Sequence, residues 1–317
     1  MSLAVAALGG GHGLSASLSA LRLMTQEITA IVTVADDGGS SGRLRNELDV
    51  LPPGDLRMAL SALCDDSEWG RLWRDLLQHR FTSEGDLNNH AVGNLLIVAL
   101  WELLDDNVAG LDWVGKLLGA RGRVLPMASV PLSIEADMAV GGRTFTVQGQ
   151  SLVAATAGHV ENLRLIPQSP PACVEAVQAV YDADWVVLGP GSWFSSVMPH
   201  LLVPDLRKAL LTTQARRCVT LNLSNSGTET YGMSTADHVR ALVRHAPDLR
   251  VDAILADPSS VDDTDELLLA AKALGASVIF RQLRRGDGTA RHDPLRLAAA
   301  YQDVFDNFLG DVGTISS

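Results

Sequence analysis

Cysteine, aromatic side chains, basic charge and long apolar runs are all scarce in this chain, and each shortage removes a class of protein. Three cysteines in 317 residues, Cys64, Cys173 and Cys218, are an odd and widely spaced set with no zinc spacing. They suit a reducing cytoplasm, with each thiol a small buried hydrophobe. Aromatic residues make up 5% of the chain, which leaves little material for a ring-stacking shelf. The net charge of −12 argues against a nucleic-acid surface, which needs a basic footprint. An anionic ligand still fits, because a local site can be positive in an acidic protein. No uninterrupted 18-residue apolar segment occurs, so no membrane span is expected. No basic region precedes the short apolar run Leu3 to Leu8, which reads as a strand rather than a signal peptide. Walker motif, nucleophile elbow, zinc triad and Ser–His–Asp order are all missing, so covalent catalysis is not visible.

What is present is a globular composition, 47% hydrophobic and 20% charged, and two glycine-rich loops near the start. The first apolar run empties into Gly9-Gly10-Gly11-His12-Gly13. A second, Ile28 to Ala35, ends in Asp36-Asp37-Gly38-Gly39-Ser40-Ser41-Gly42-Arg43. Two strands thus deliver two loops to one edge of a parallel sheet. Glycine lets backbone N–H groups approach a ligand, and the helix start behind the loop favours negative charge. The first loop reads as a phosphate cradle, although Leu14 stands where the dinucleotide fingerprint needs a third small residue. In the second, Asp36 or Asp37 is placed to bind a sugar hydroxyl, a metal or a reacting hydroxyl, and Ser40, Ser41 and Arg43 to hold phosphate. A solvated turn with an Asp cap is the plainer account of that loop.

Strands and helices alternate through the first hundred residues, as in a parallel sheet covered by helices. The spacing predicts helices over Leu14–Met24, Leu56–Leu63, Trp69–Phe81 and Asn94–Leu104, with Asp55 and Asn94 as caps. Val124–Met127, Leu132–Met138, Thr144–Val147 and Leu152–Ala155 read as short strands of a β-rich insert at about 123–155. The rhythm returns with strands at Trp185–Leu188, Val219–Leu223, Val251–Ala256 and Val278–Phe280, and helices near 203–213, 235–246, 262–274 and 294–309. Asp293-Pro294 is a good start for the last of these. The tail 310–317 reads as polar and mobile. The whole is expected to be one α/β domain, 1–317, with a doubly wound, mostly parallel sheet.

Further polar islands complete the candidate set. Gly54-Asp55-Leu56-Arg57 opens a helix, with a cap and an exposed arginine as the bland account. Asn88-Asn89-His90 and Gly93-Asn94 precede a buried helix; a lone His90 is more often structural than catalytic. Gly189-Pro190-Gly191-Ser192 is another strand-to-glycine loop, suited to a second phosphate or the other half of a ligand. Asn222 ends a strand where open α/β sheets place their ligand crevice. Ser224–Thr230 is a polar loop rich in hydroxyls. Arg281, Arg284, Arg285 and Arg291 are either a solvated face or a clamp over anionic groups.

Taken together, Ala7–Leu14, Val32–Arg45, Pro53–Arg57, Gly93–Leu95, Leu188–Ser192 and His292–Pro294 resemble the gluconeogenesis factor family of the YvcK type, in its actinobacterial branch. That family is related to the CofD-type 2-phospho-L-lactate transferases, which join a phospholactyl group to a deazaflavin. The resemblance implies a Rossmann-like fold in the cytoplasm and binding of UDP-sugars, notably UDP-N-acetylglucosamine. It implies a role in cell shape and wall synthesis during growth on gluconeogenic carbon, and no settled reaction. It assigns Arg291 to the sugar-nucleotide site. Some members use a tyrosine in the preceding helix, and 262–274 contains none. Members are also phosphorylated near the C-terminus by Ser/Thr kinases, for which Thr314 is the equivalent here, and related proteins commonly form dimers.

Three functions are then in play. The first is a UDP-sugar-binding regulator, with pyrophosphate on Gly9–Gly13 and Gly189–Ser192, hydroxyls on Asp36 or Asp37, and phosphate on Arg291. The second is a CofD-like transferase, with Asp36 or Asp37 orienting a hydroxyl beside Mg²⁺, Arg43 or Arg57 stabilising charge, and Trp193 and Phe194 as the ring shelf. The third, a dinucleotide oxidoreductase, is disfavoured by Leu14.

Overall fold

Apolar runs of four or five residues, buried along their whole length, are strands covered on both faces, and three strands of the main sheet, at 5–9, 185–188 and 253–256, are of this kind. The computed structural model describes residues 3–224 and 228–309, the side chains at 308 and 309 excepted. In chain order the elements are β1 (Val5–Gly9), α1 (Gly11–Leu21), β2 (Ile28–Val32), α2 (Gly39–Leu48), α3 (Gly54–Leu63), α4 (Glu68–Gln78), α5 (Val92–Leu104), α6 (Asn107–Leu118) and β3 (Arg123–Pro126). There follow β4 (Ser133–Val140), β5 (Arg143–Gln148), α7 (Gln150–Ala155) and β6 (His159–Ile166). The second half holds α8 (Val174–Asp182), β7 (Trp185–Leu188), α9 (Pro204–Thr212), β8 (Arg216–Thr220), α10 (Thr235–His245), β9 (Ala253–Ala256), α11 (Thr264–Ala273), β10 (Ser277–Phe280) and α12 (Pro294–Leu309).

The seven-stranded sheet runs β10-β9-β8-β7-β1-β2-β3, and every pairing is parallel. From β1 the chain steps outward to β2 and β3, then returns and steps the other way from β7 to β10. Right-handed crossovers that step in opposite directions put their helices on opposite faces. The switch therefore falls between β1 and β7, paired Val5 to Trp185 through Leu8 to Leu188. Crevices form at such a point, beyond the carboxyl ends of the strands.

Several expectations shift. The first helix begins at Gly11 rather than Leu14, so the glycine loop is itself its first turn. The loop of Ser40, Ser41 and Arg43 is helical from Gly39, because Gly42 lets the backbone close on the Asp37 carbonyl, where a Cβ would lie 2.1 Å away. Asp55 and Asn94 are not caps: both lie inside the first turns of α3 and α5, behind Pro53 and Ala91. The segment at 124–127 belongs to the main sheet, paired to β2. The separate three-stranded sheet, β5-β4-β6, is antiparallel and spans Ser133 to Ile166. Leu152–Ala155 is not a strand but part of α7, because Gly149 at φ 106° ends β5 and an alanine-rich turn follows. Helices α2, α6 and α8 and strand β6 carried no sequence expectation. The tail 310–317, with Thr314, lies outside the described residues. Among the described residues no helix is long and apolar enough to cross a membrane. All three cysteines are free and buried.

The last helix is stitched across the switch by a hydroxyl cluster. Asp293 caps it, accepting from Leu295 and Arg296 N–H at 3.0 Å each. Tyr301 then reaches Ser17 Oγ of α1 at 2.8 Å and Thr220 Oγ1 of β8 at 2.9 Å, all three buried. Ser17 in turn donates to the Gly189 carbonyl at 2.9 Å. Removing the phenol oxygen takes a partner from two buried hydroxyls, of which Ser17 keeps the Gly189 carbonyl. Tyr301→Phe is expected to lower the unfolding free energy by about 1–2 kcal/mol in urea titrations; an unchanged midpoint would show the cluster to be idle.

Candidate functional site

The backbone at Gly10 to Gly13 and at Gly189 to Gly191 can be as close as it is only because Gly13 lacks a side chain. A Cβ on Gly13 would lie 2.2 Å from the Pro190 carbonyl oxygen and 2.4 Å from Gly191 Cα. Gly11 has φ +55° and Gly189 φ +74°, left-handed values that favour glycine. The two loops thus interlock above β1 and β7. Asn222, just beyond β8, clamps the second one: its Oδ1 accepts from Gly191 N–H at 2.9 Å and its Nδ2 donates to Gly191 O at 2.8 Å.

Above them opens a cleft of about 830 Å³, the size of a small-molecule site. Gly10, Gly11, His12, Gly13, Asp55, Gly191, Ser192, Asn222 and Arg291 all line it. Gly9 and Gly189 lie just beneath, at the ends of β1 and β7. No Trp, Tyr or Phe is among the described lining residues.

Asp55 apart, the Asp36–Arg57 candidates fall elsewhere, and so do His90 and Asn94. Asp36 is half-buried, accepts from Gly38 N–H at 3.0 Å, and its Oδ2 lies against the Gly54 start of α3. Asp37 turns away and accepts from Ser151 N–H at 2.9 Å and Ser151 Oγ at 2.6 Å, holding the start of α7. Ser40 is buried and takes N–H groups from Ala91 at 3.3 Å and Asn94 Nδ2 at 3.0 Å. Its own proton is then directed to His90 Nδ1 at 3.0 Å. Ser40, His90 and Asn94 form one internal clip between α2 and α5, and burial, with Arg43 nearby, lowers the His90 pKa. Arg43 donates to the Asp86 and Asn88 carbonyls at 2.9 and 2.7 Å. Ser41 is buried, its Oγ facing Gly54. Arg57 is not exposed but buried, bonded to Gln78 Oε1. These groups brace the base of the site.

The cleft also has members that the sequence did not single out. Gln150 and Ser151 come from α7, and Gln150 Nε2 donates to Ser195 O at 3.0 Å. Glu229 is buried and accepts from Phe194 N–H at 3.2 Å; burial raises its pKa. The polar loop 224–230 was the only sequence signal for it. His292 lies beside Arg291, and burial pushes its pKa down to about 4, so it is neutral. Arg285, from the basic cluster, also lines the cleft, whereas Arg281 pairs with Asp303 at 2.7 Å and Arg284 donates to the Leu223 carbonyl.

Asp55 is also strongly perturbed. It lies under Gly10 and accepts from Gly11 N–H; burial, and then Asp36, raise its pKa to about 7. No group of three His, Cys, Asp or Glu side chains that could hold a metal occurs among the described residues. Asp36 and Asp55 could still share Mg²⁺ with ligand phosphates, since Mg²⁺ is commonly held by one or two carboxylates plus phosphate and water.

The cleft lies at the strand-order switch of an α/β sheet, and the comparisons agree with that fold. The family described as 2-phospho-L-lactate transferase CofD matches residues 5–283. The chain belongs to that family. Within it, the relatives carry gluconeogenesis factor names. One from Mycobacterium tuberculosis (strain H37Rv) is 52% identical over 307 residues, covering 95% of this chain and 90% of the relative. The gluconeogenesis factor of Bacillus subtilis is 35% identical over 314 residues, covering 95% and 97%. A crystal structure of an upf0052 family member from Bacillus halodurans superposes with a TM-score of 0.86 at 34% identity, covering 95% of this chain and 99% of that one. The family membership, the α/β fold and the mostly parallel sheet expected from sequence are thus all found.

Asp55 marks the pH dependence of stability. Its folded pKa of about 7 lies above the ordinary carboxylate value, so its contribution is complete below about pH 4 and is lost as pH rises through 7. Wild type should lose stability between about pH 4 and 7 by a component that Asp55→Asn lacks, leaving the variant about 2–4 kcal/mol more stable at pH 8. Parallel pH profiles of the two proteins would assign the titration to another group.

Proposed function

We propose that the chain is a UDP-sugar-binding regulator whose ligand, UDP-N-acetylglucosamine, lies across the two interlocked glycine loops. The observation that carries this is the meeting of those loops at the strand-order switch, in a cleft whose wall supplies Arg285 and Arg291. Pyrophosphate would lie on N–H groups of Gly10–Gly13 and on the Gly191–Ser192 turn. Arg291 would pair with it, and neutral His292 and Ser151 suit hydroxyls or amides. Binding would be read by a partner, coupling precursor supply to wall synthesis and cell shape during gluconeogenic growth. Regulation by a Ser/Thr kinase at Thr314 belongs to the same reading, at a residue outside the described set.

The CofD-like transferase is the second reading, and the Asp36–Asp55 pair favours it as a place for Mg²⁺. Against it stands the lack of a ring shelf among the described lining residues: Trp193 and Phe194 are 0% and 1% exposed. Arg57 is committed to Gln78, and Arg43 to two carbonyls.

Isothermal calorimetry separates the two. UDP-N-acetylglucosamine should bind saturably and GDP plus Mg²⁺ should not. Arg291→Ala should weaken the UDP-sugar by about tenfold or more, the loss of one charge-assisted contact. An unchanged affinity in that variant would refute the placement, and GDP binding without UDP-sugar binding would transfer the case to the enzyme.

A further inference from the structure

Strand β5 is an edge strand, and Arg143, Thr144, Phe145, Thr146 and Gln148 are exposed along it. Its phase follows from the turn. Gly141 and Gly142, at φ +58° and +79°, form a two-residue hairpin loop that closes on a hydrogen-bonded pair, Val140 and Arg143. Bonded pairs alternate from there, and Gly149 N–H reaching Ile134 O at 2.8 Å keeps the same phase at the far end. The backbone groups of Thr144, Thr146 and Gln148 therefore point away from β4, to the open edge. Nothing within the strand blunts it: it holds no proline, no lysine and no acid, and its irregular register lies on the β4–β6 side.

One antiparallel register of β5 with a second β5 satisfies every one of these groups. Centred on Thr146 opposite Thr146, it sets Thr144 against Gln148 and Gln148 against Thr144, three bonded pairs across a two-fold axis. The intervening unbonded pairs, where side chains come closer, set Phe145 against Val147 twice. Phe145, 44% exposed, is the open margin of the apolar layer that Met138 and Ala136 continue inward. At each end Arg143 falls opposite Gly149. There a Cβ would lie 2.3 Å from Asp37 Oδ2, the carboxylate oxygen not engaged by Ser151. Arg143 is thus directed to the Asp37 of the other copy. The acids of the polar face, Glu135 and Asp137, are engaged by Arg164 of the neighbouring β6 at 2.7 Å and 2.5 Å.

We propose that two copies of this chain associate through β5, forming a continuous six-stranded antiparallel sheet closed by reciprocal Arg143–Asp37 ion pairs. Hydrogen bonds, apolar cover and charge all close on the same two-fold axis. Since α7 follows β5 directly and is pinned by the same Asp37, association also steadies the wall of the cleft that Gln150 and Ser151 provide.

Sedimentation velocity of the full chain from about 1 to 100 µM should show a dimer. Hydrogen exchange should find the Thr144, Thr146 and Gln148 amides protected. Thr146→Pro removes an outward donor that β4 does not use and should yield a monomer with an unchanged circular dichroism spectrum. Arg143→Glu should weaken the dimer by about tenfold, less at high salt. A wild-type monomer across that range would overturn the proposal. So would a dimer whose three outward amides exchange freely, which is read without any variant, or a folded Thr146→Pro protein that dimerises as wild type does.

Discussion

The contact on which the rest depends is the one between the two glycine loops, backbone against backbone, at Gly13 and Pro190-Gly191. A single methyl group at residue 13 would hold them apart. With that contact made, β1 and β7 can be neighbours and both carry tight turns on the same side. The order of the sheet then reverses there, and the helices divide between its faces. Ser17, Tyr301 and Thr220 tie α1, α12 and β8 beneath the junction through the Gly189 carbonyl. Asn222 fixes the upper side. The cleft is what remains open above a seam that is closed on its other sides.

Each loop that could cradle an anion has a carboxylate of the chain itself on it or next to it. Asp55 takes an N–H of the first and Glu229 takes Phe194 N–H in the helical turn that follows the second, and burial raises the pKa of each. Two unit charges about 5 Å apart interact by roughly 3 kcal/mol at an effective dielectric constant near 20. That repulsion would offset more than one ordinary hydrogen bond, about 1 kcal/mol. A phosphate in this cleft therefore needs a proton on Asp55, a cation beside it, or the guanidinium groups of the wall. The loops supply shape, and the positive charge has to come from elsewhere.

The fold was legible where burial imposes a period. Fully apolar runs such as Val5–Gly9 and Trp185–Leu188 are strands covered on both faces, and the helices from Pro204 onward fall within a few residues of their expected ends. It was illegible where a local signal pointed at the wrong partner. Asp55 and Asn94 stand next to helix starts and read as caps, yet each side chain serves a distant element: Gly11 in one case and Ser40 in the other. Leu152–Ala155 reads as a strand because its apolar residues are few and contiguous, but a glycine at φ 106° had already ended the extended run. The same limit applies to the site. Gly10–Gly13, Gly191 and Arg291 could be found because glycine and arginine announce close approach and charge. Gln150 and Ser151 could not, since their place in the cleft rests on Asp37, over a hundred positions earlier.

The division of labour within the Asp36–Arg43 segment follows from the same geometry. Its hydroxyls and carboxylates look like ligand groups, and most are consumed in holding α2, α3, α5 and α7 in register. What reaches the cleft from this region is Asp55, negative or neutral but never positive. Of the four C-terminal arginines, Arg281 is paired with Asp303 and Arg284 is engaged by the Leu223 and Thr289 carbonyls. Arg285 and Arg291 alone among them stand in the cleft wall. They sit on one short bridge, where Arg285 N–H meets the Arg291 carbonyl at 2.9 Å, next to the Asp293 cap of α12. The affinity for an anion is therefore concentrated in a segment nearly three hundred residues from the loop that shapes the site, and the two are brought together by the seam at Gly13.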